Sequence, residues 1–263
     1  MDVKSFRELH ESDGPLVLPN AWDLGSGIAF ASAGFLAIGT TSFGISASAG
    51  LPDGGRSSKQ PTAMLAAQLC GLPVHVTADI EEGYSDDPAE VSAFVAELVA
   101  MGVAGVNLED SKDGHLADPA VLAAKIAAVR RESPGVFVNA RVDNLWFGED
   151  ATADAVLLRA RIYADAGADG IFVPGLTEAA DIRTIASGIG LPLNVLAHPS
   201  LTVAQLGEFG VRRVSSGSLP YRAAVDAAVY SVVALRDGKP AVTATPYWEM
   251  QSRLVAFSRG IVG

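Results

Sequence analysis

The chain has 263 residues, with 19 Lys and Arg against 30 Asp and Glu, a formal net charge of −11 and 49% hydrophobic residues. Such a hydrophobic fraction excludes a disordered chain, and the acidic balance argues against nucleic acid or an anionic membrane surface as the main partner. The single cysteine, Cys70, excludes an internal disulfide framework and a thiolate zinc site.

Met1 to His10 is charged and lacks the apolar run of a signal peptide. No stretch approaches the ~18 uninterrupted apolar residues of a spanning helix. The expectation is a cytoplasmic protein with no membrane partner.

Short apolar, β-branched runs recur along the chain, each followed by an Ala-rich segment with helical spacing. The predicted strands are Leu16–Pro19, Phe35–Gly39, Val74–Ala78, Gly105–Glu109, Val136–Arg141, Gly170–Pro174, Leu193–Ala197 and Arg213–Ser216. Continuous apolar runs suit parallel strands buried on both faces. Asp86, Asp87 and Pro88 open a helix that stops at Gly102. Asp118 and Pro119 open a second that runs to about Arg131. Asp150 or Thr152 caps a third, ending at Ala166–Gly167. From Tyr221 the chain reads as two more helices, broken near Asp237–Pro240 and Pro246. No linker divides the sequence, so residues 1–263 are expected to form one unit. Eight βα repeats predict an α/β fold, a (β/α)8 TIM-type barrel. A doubly wound sheet is the alternative, but no Gly-x-Gly-x-x-Gly follows the first strand.

In such barrels chemistry collects at the C-terminal strand ends. There the third, fourth and fifth strands supply Asp79, Glu109 and Arg141. Carboxylates without a lysine or histidine cluster suit a hard cation such as Mg2+, with Mn2+ sharing its oxygen preference. An arginine beside that cation can hold a carboxylate in a bidentate grip. The ligand so implied is a small anionic oxo acid. Read as plain structure, these groups would only cap helices and pair with each other.

Several phrases then carry a family resemblance. They are Gly50–Asp53 (GLPD), Ala78–Tyr84 (ADIEEGY), Val106–Ser111 (VNLEDS), Asn139–Asp143 (NARVD) and Gly167–Gly175 (GADGIFVPG). Together they resemble the isocitrate lyase/phosphoenolpyruvate mutase superfamily, nearest its phosphonomutase-like branch, over nearly the whole chain. The resemblance implies a barrel whose last helix is exchanged with a neighbouring subunit, in a homodimer or homotetramer. It implies Mg2+ and a 2-oxo acid or enolpyruvate substrate, with a C–C or P–C bond made or broken beside the pyruvyl unit. It places Asp79 and Glu109 at the metal and Arg141 on the substrate. Thr41, Ser42 and Phe43 would receive the substrate carboxylate, and Asp53 would lie near the reacting group. Asn194, on strand seven, is expected to reach the pocket.

The sequence also departs from that family. Many members carry a second aspartate two residues before the metal aspartate, where this chain has Thr77. The lyases carry an acid–base cysteine on the loop after strand four, where this chain has Asp113 within Ser111–His115. That loop is expected to close over the site and bring Asp113 or His115 as proton carrier, and isocitrate-type cleavage is disfavoured. Three further readings are weighed. Phosphonopyruvate mutase chemistry uses the same parts. Ser215–Ser218 after strand eight would suit a phosphate site. A non-catalytic 2-oxo acid binding barrel would keep the ligand and lose the chemistry. A Schiff-base aldolase is disfavoured because none of the five lysines falls on a predicted strand, leaving no buried amine.

Overall fold

The computed structural model describes residues 4–260; Met1–Val3 and Ile261–Gly263 lie outside them. The barrel strands are β1 (Leu16–Leu18, resumed at Asn20–Ala21), β2 (Ala37–Thr40), β3 (His75–Asp79), β4 (Gly105–Glu109), β5 (Phe137–Arg141), β6 (Gly170–Phe172), β7 (Leu193–Leu196) and β8 (Val211–Ser215). Every neighbouring pair is parallel. The ring closes through β1, which breaks at Pro19. Leu16–Leu18 pairs with β8, and Asn20–Ala21 pairs with β2. Proline has no N–H for a ladder, but its carbonyl still accepts from Gly39 N at 2.9 Å. One strand thus serves two neighbours at different levels.

The helices form for the expected reasons. Asp87 caps Pro88–Ala100 by accepting from Ala89 N, and Gly102 closes it with φ +105°. Asp118 caps Pro119–Glu132 in the same manner. Of the two candidates for the third cap, Thr152 does the work, opening Ala153–Asp165. The C-terminal helices span Leu219–Arg236 and Tyr247–Ser258. The second packs on Leu24–Ser32 and tucks Phe257 against the core. The first buries only Ala234 and leaves Val229, Tyr230, Val232 and Leu235 exposed. Among the described residues no helix is long and apolar enough to cross a membrane.

A short helix, Phe6–Leu9, closes the N-terminal end of the barrel, and His10 follows it. His10 is buried, stacked on Phe137 at 4.3 Å, with Nδ1 bonded to the Phe6 carbonyl. Burial first, then the charge of Arg213, lowers its pKa from 6.5 to about 4. Between those values the unfolded chain binds a proton that the native chain refuses, so stability falls with falling pH. This group alone is expected to remove about 3 kcal/mol from pH 7 to pH 4. Urea titrations of wild type and His10→Phe across that range test it; parallel losses in both proteins would exclude His10.

Candidate active site

Strand register builds the site. Asp79 lies opposite Asn107, and Asn107 opposite Asn139. One step higher, Glu109 lies opposite Arg141, and Arg141 opposite Phe172. Side chains alternate along a strand, so all of these face the barrel axis near its C-terminal end. Arg141 is half-buried between two carboxylates, with Nη1 on Glu109 Oε2 and Nε on Asp143 Oδ1, each at 2.7 Å. Trp146 and Phe172 offer ring faces at 5.8 and 5.9 Å. Burial works against its charge, but Glu109, Asp143 and Asp79 together raise its pKa above the ordinary value.

Asp143 is itself held from behind. Its N–H donates to Asp110 Oδ1, and Ser111 Oγ donates to its Oδ2. Asp110 is fully enclosed and receives Arg159 Nη1 at 2.9 Å and the Tyr163 hydroxyl at 2.7 Å. The Glu109–Asp110 pair therefore divides its labour, one carboxylate toward the axis and the other toward the helices.

At the end of β2, Thr41 caps the helix Ser42–Ser48 by accepting from Gly44 N. A Cβ on Gly44 would come within 2.8 Å of Thr41 Cγ2 and 2.9 Å of Trp22 Cβ, so this turn requires glycine. Ser42 gives both its N–H and its hydroxyl to Asp79 Oδ2, at 3.2 and 2.9 Å. Asp79 is thereby fixed against the turn expected to receive the substrate.

The mouth holds two neighbouring cavities with lining residues in common. The first, about 400 Å3, is lined by Thr41, Ser42, Phe43, Asp53, Asp79, Asn107 and Arg141, with Phe172, Leu196 and Ser215–Ser218 across from them. The second, about 550 Å3, shares Ser42, Asp53 and Arg141 and adds Glu81, Glu109 and Asp113. Eight of the ten residues singled out in the sequence therefore line one or both of these two cavities. Asn194 lies beneath its floor, 1% exposed, accepting from Ser215 Oγ. His115 points elsewhere, its imidazole on Glu149 Oε1 at 2.6 Å with the side chain 79% exposed. The loop carrying it is a two-residue hairpin, Ser111–Lys112 against His115–Leu116. Its turn is Asp113-Gly114, both with positive φ, as such hairpins favour.

Glu81 is a further carboxylate of the second cavity. It is buried, with φ +50°, and its carboxylate receives Ser58 Oγ and Arg56 N. Burial raises its pKa, with Glu82 and Asp79 adding to the rise and the two hydrogen bonds from Ser58 and Arg56 opposing it. Its signal in the sequence is the run of three acids among Asp79–Glu82, of which Asp79 alone directly follows the predicted strand. Lys125 also corrects an expectation: it is a buried amine, with a pKa lowered by desolvation. It sits on the outer helix Pro119–Glu132 and donates to the Glu82 carbonyl, lining neither cavity. Cys70 caps a helix before β3, half-buried, and desolvation raises its thiol pKa. His198 lines the first cavity, but its ring nitrogens engage the Thr177 carbonyl and the N–H groups of Ser200 and Leu201.

The charge balance of the mouth bears on a metal. Asp53 is raised by burial and by Asp79, and Glu109 by burial and by Asp143, Asp79 and Glu81, with Arg141 opposing both. Carboxylates that repel one another around a single arginine are a donor set short of positive charge, which suits a hard divalent cation. Among the described residues no three such side chains enclose an ion. A cation here would rest on one or two carboxylates and complete its shell with water and ligand oxygens, the habit of Mg2+.

The comparisons with known proteins agree with this geometry. The profile described as phosphoenolpyruvate phosphomutase matches residues 6–236. The chain belongs to this family, within the isocitrate lyase/phosphoenolpyruvate mutase superfamily. It is 47% identical over 253 residues to an uncharacterized protein of Mycobacterium tuberculosis, covering 96% of this chain and 97% of that one. It is 31% identical over 217 residues to the 2-methylisocitrate lyase of Bacillus subtilis (strain 168), covering 78% and 67%. A crystal structure from Burkholderia cenocepacia J2315, described as a candidate phosphonomutase, superposes with a TM-score of 0.82 at 38% identity, covering 86% and 97%.

Proposed function

We propose that this protein is a Mg2+-dependent lyase that makes or breaks a C–C bond beside the pyruvyl unit of a 2-oxo acid, through an enolate. Family membership supports the class of chemistry. The observation that carries the reading is the mouth itself, where Arg141 and Asp53 line both cavities, with Asp79 in the first and Glu81 and Glu109 in the second. Asp79 and Glu109 are the residues to hold the metal, with Mn2+ the alternative. When bound, the ion supplies Lewis-acid stabilisation of charge on the oxo acid oxygens.

Nε and Nη1 of Arg141 are taken by carboxylates, which leaves Nη2 for a ligand oxygen. That donor stabilises negative charge as it develops on the keto oxygen when the bond at C3 breaks. Phe43, Trp146 and Phe172 line the cavity with aromatic surface and exclude water around the charge. Asp53 lines both cavities, and burial together with Asp79 holds its carboxyl above the usual range. It is placed to deliver a proton to C3, while the Asp113 turn closes the second cavity and His115 braces the hairpin on Glu149. Asp53→Asn is expected to lower turnover about a hundredfold. Oxalate affinity should change little; a loss of affinity with unchanged turnover would remove Asp53 from the proton step.

Ser216, Ser218 and Arg222 on the far wall of the first cavity favour a second anionic group on the substrate, and so keep phosphonopyruvate chemistry in play. The exposed apolar face of Leu219–Arg236 supports packing of that helix on a second copy, in a homodimer or homotetramer. Cytoplasmic residence follows as part of this reading. Purified protein assayed with Mg2+ against oxaloacetate, methyl- and dimethylmalates, isocitrate and phosphonopyruvate tests the function. Pyruvate or glyoxylate release only with metal supports it. Silence across the panel, with 2-oxo acids still raising thermal stability, would favour the non-catalytic binding barrel.

A further inference from the structure

The barrel interior below the mouth is polar. Thr77, Asn107, Asn139, Asn194 and Arg213 occupy it, where bulky branched apolar side chains usually fill such barrels. Arg213 is the unusual member. It is 0% exposed, the largest fully buried side chain among the described residues, and it has no carboxylate within salt-bridge distance there. Its two hydrogen-bond partners are neutral: Nε donates to Ser215 Oγ at 3.0 Å and Nη2 donates to Asn107 Oδ1 at 3.2 Å, while Nη1 has no partner. Burying an unpaired guanidinium is costly, so a purely structural core has no use for it.

We propose that Arg213 is a positioning residue that turns the amide of Asn107 so that the cavity floor presents a hydrogen-bond donor, over a buried positive charge, to an oxyanion of the substrate. This rests on the function proposed above. A guanidinium donates and never accepts, so Asn107 must show it Oδ1. Asn139 Nδ2 donates to that same oxygen at 2.9 Å. With Oδ1 held from two sides, the Asn107 NH2 group faces the other way, and Asn107 lines the first cavity. The same polarity runs through Ser215. Its oxygen accepts from Arg213, so its proton goes to Asn194 Oδ1 at 3.1 Å, which leaves Asn194 Nδ2 a buried donor without an acceptor. One donor-only side chain thus sets the sense of two amides. Burial lowers the Arg213 pKa to about 9, against the pull of Asp79, so the charge persists at neutral pH.

Asn107→Asp is the sharpest test, because it keeps the shape and replaces the NH2 with a second oxygen. The new carboxylate pairs with Arg213 while placing negative charge on the floor. The expected result is a melting temperature at or above wild type without ligand, together with at least about a tenfold loss of oxalate affinity measured calorimetrically with Mg2+. Arg213→Met should weaken oxalate similarly, and Arg213→Lys should recover part of the loss. A melting temperature well below wild type for Asn107→Asp would overturn the assigned amide orientation. Oxalate binding equal to wild type in Asn107→Asp would overturn the floor's role. If wild-type protein binds neither oxalate nor any 2-oxo acid, the proposed function fails instead, while the ligand-free melting of Asn107→Asp still decides the Arg213–Asn107 polarity.

Discussion

Arg141→Lys is expected to reduce kcat/KM by about a thousandfold while leaving the barrel folded. The size follows from what the guanidinium does at once. It binds Glu109 and Asp143 through two nitrogens 2.7 Å from their oxygens and keeps a third for the ligand. A lysine ammonium is a point donor on a flexible stem and cannot hold both carboxylates in plane while reaching the keto oxygen. Losing one preorganised donor to a developing oxyanion typically costs about 10²–10³ in rate, and misplacement of Glu109 adds to that. The charge survives the substitution, so the buried carboxylates stay partly compensated and the fold is retained. Steady-state kinetics beside circular dichroism make the measurement. Near-normal turnover in a folded Arg141→Lys protein would remove Arg141 from the substrate.

Asp79→Ala is expected to abolish the protection against heat that Mg2+ and oxalate together give the wild type. A ligand at a hundred times its Kd adds about 2.7 kcal/mol to stability. For a chain of this size that corresponds to a shift of about 5–10 °C in Tm. Asp79 accepts two hydrogen bonds from Ser42, which fix its Oδ2 at the wall of the first cavity. Alanine removes the anchor and frees the Ser42 donors together. The alanine protein should melt at the same temperature with and without the two ligands. Protection equal to wild type would move the cation site elsewhere.

Much of the fold was legible in the sequence because the barrel rhythm is local. Gly105–Glu109 is the strand expected, and the other strands differ by one or two residues at their ends. The differences have causes. Pro174 has no N–H for the ladder, and β6 stops at Phe172. Pro19 interrupts β1, which the sequence showed as one run. Strand β8 begins at Val211 rather than Arg213, because a pair of arginines reads as surface. In fact Arg212 is exposed and Arg213 lies at the barrel centre.

The site was legible where strand ends carry it and obscure where tertiary contacts do. Asp79, Glu109 and Arg141 follow from strand position alone. Glu81 depends on a left-handed turn that returns the chain beneath the loop of Arg56, itself tied to Glu82 and Asp86. Nothing local predicts that meeting. His115 and Asp113 sit two residues apart, and hairpin geometry sends one outward to Glu149 and the other over the second cavity. Spacing within a loop cannot distinguish them until the turn type is known.

The most direct test of the enolate is hydrogen exchange at C3 of pyruvate in deuterated water, followed by proton NMR with purified protein and Mg2+. Exchange is expected well above the rate in buffer, dependent on the metal and lost in Arg141→Lys. Pyruvate that binds, shown by a raised Tm, yet exchanges no faster than in buffer would contradict it.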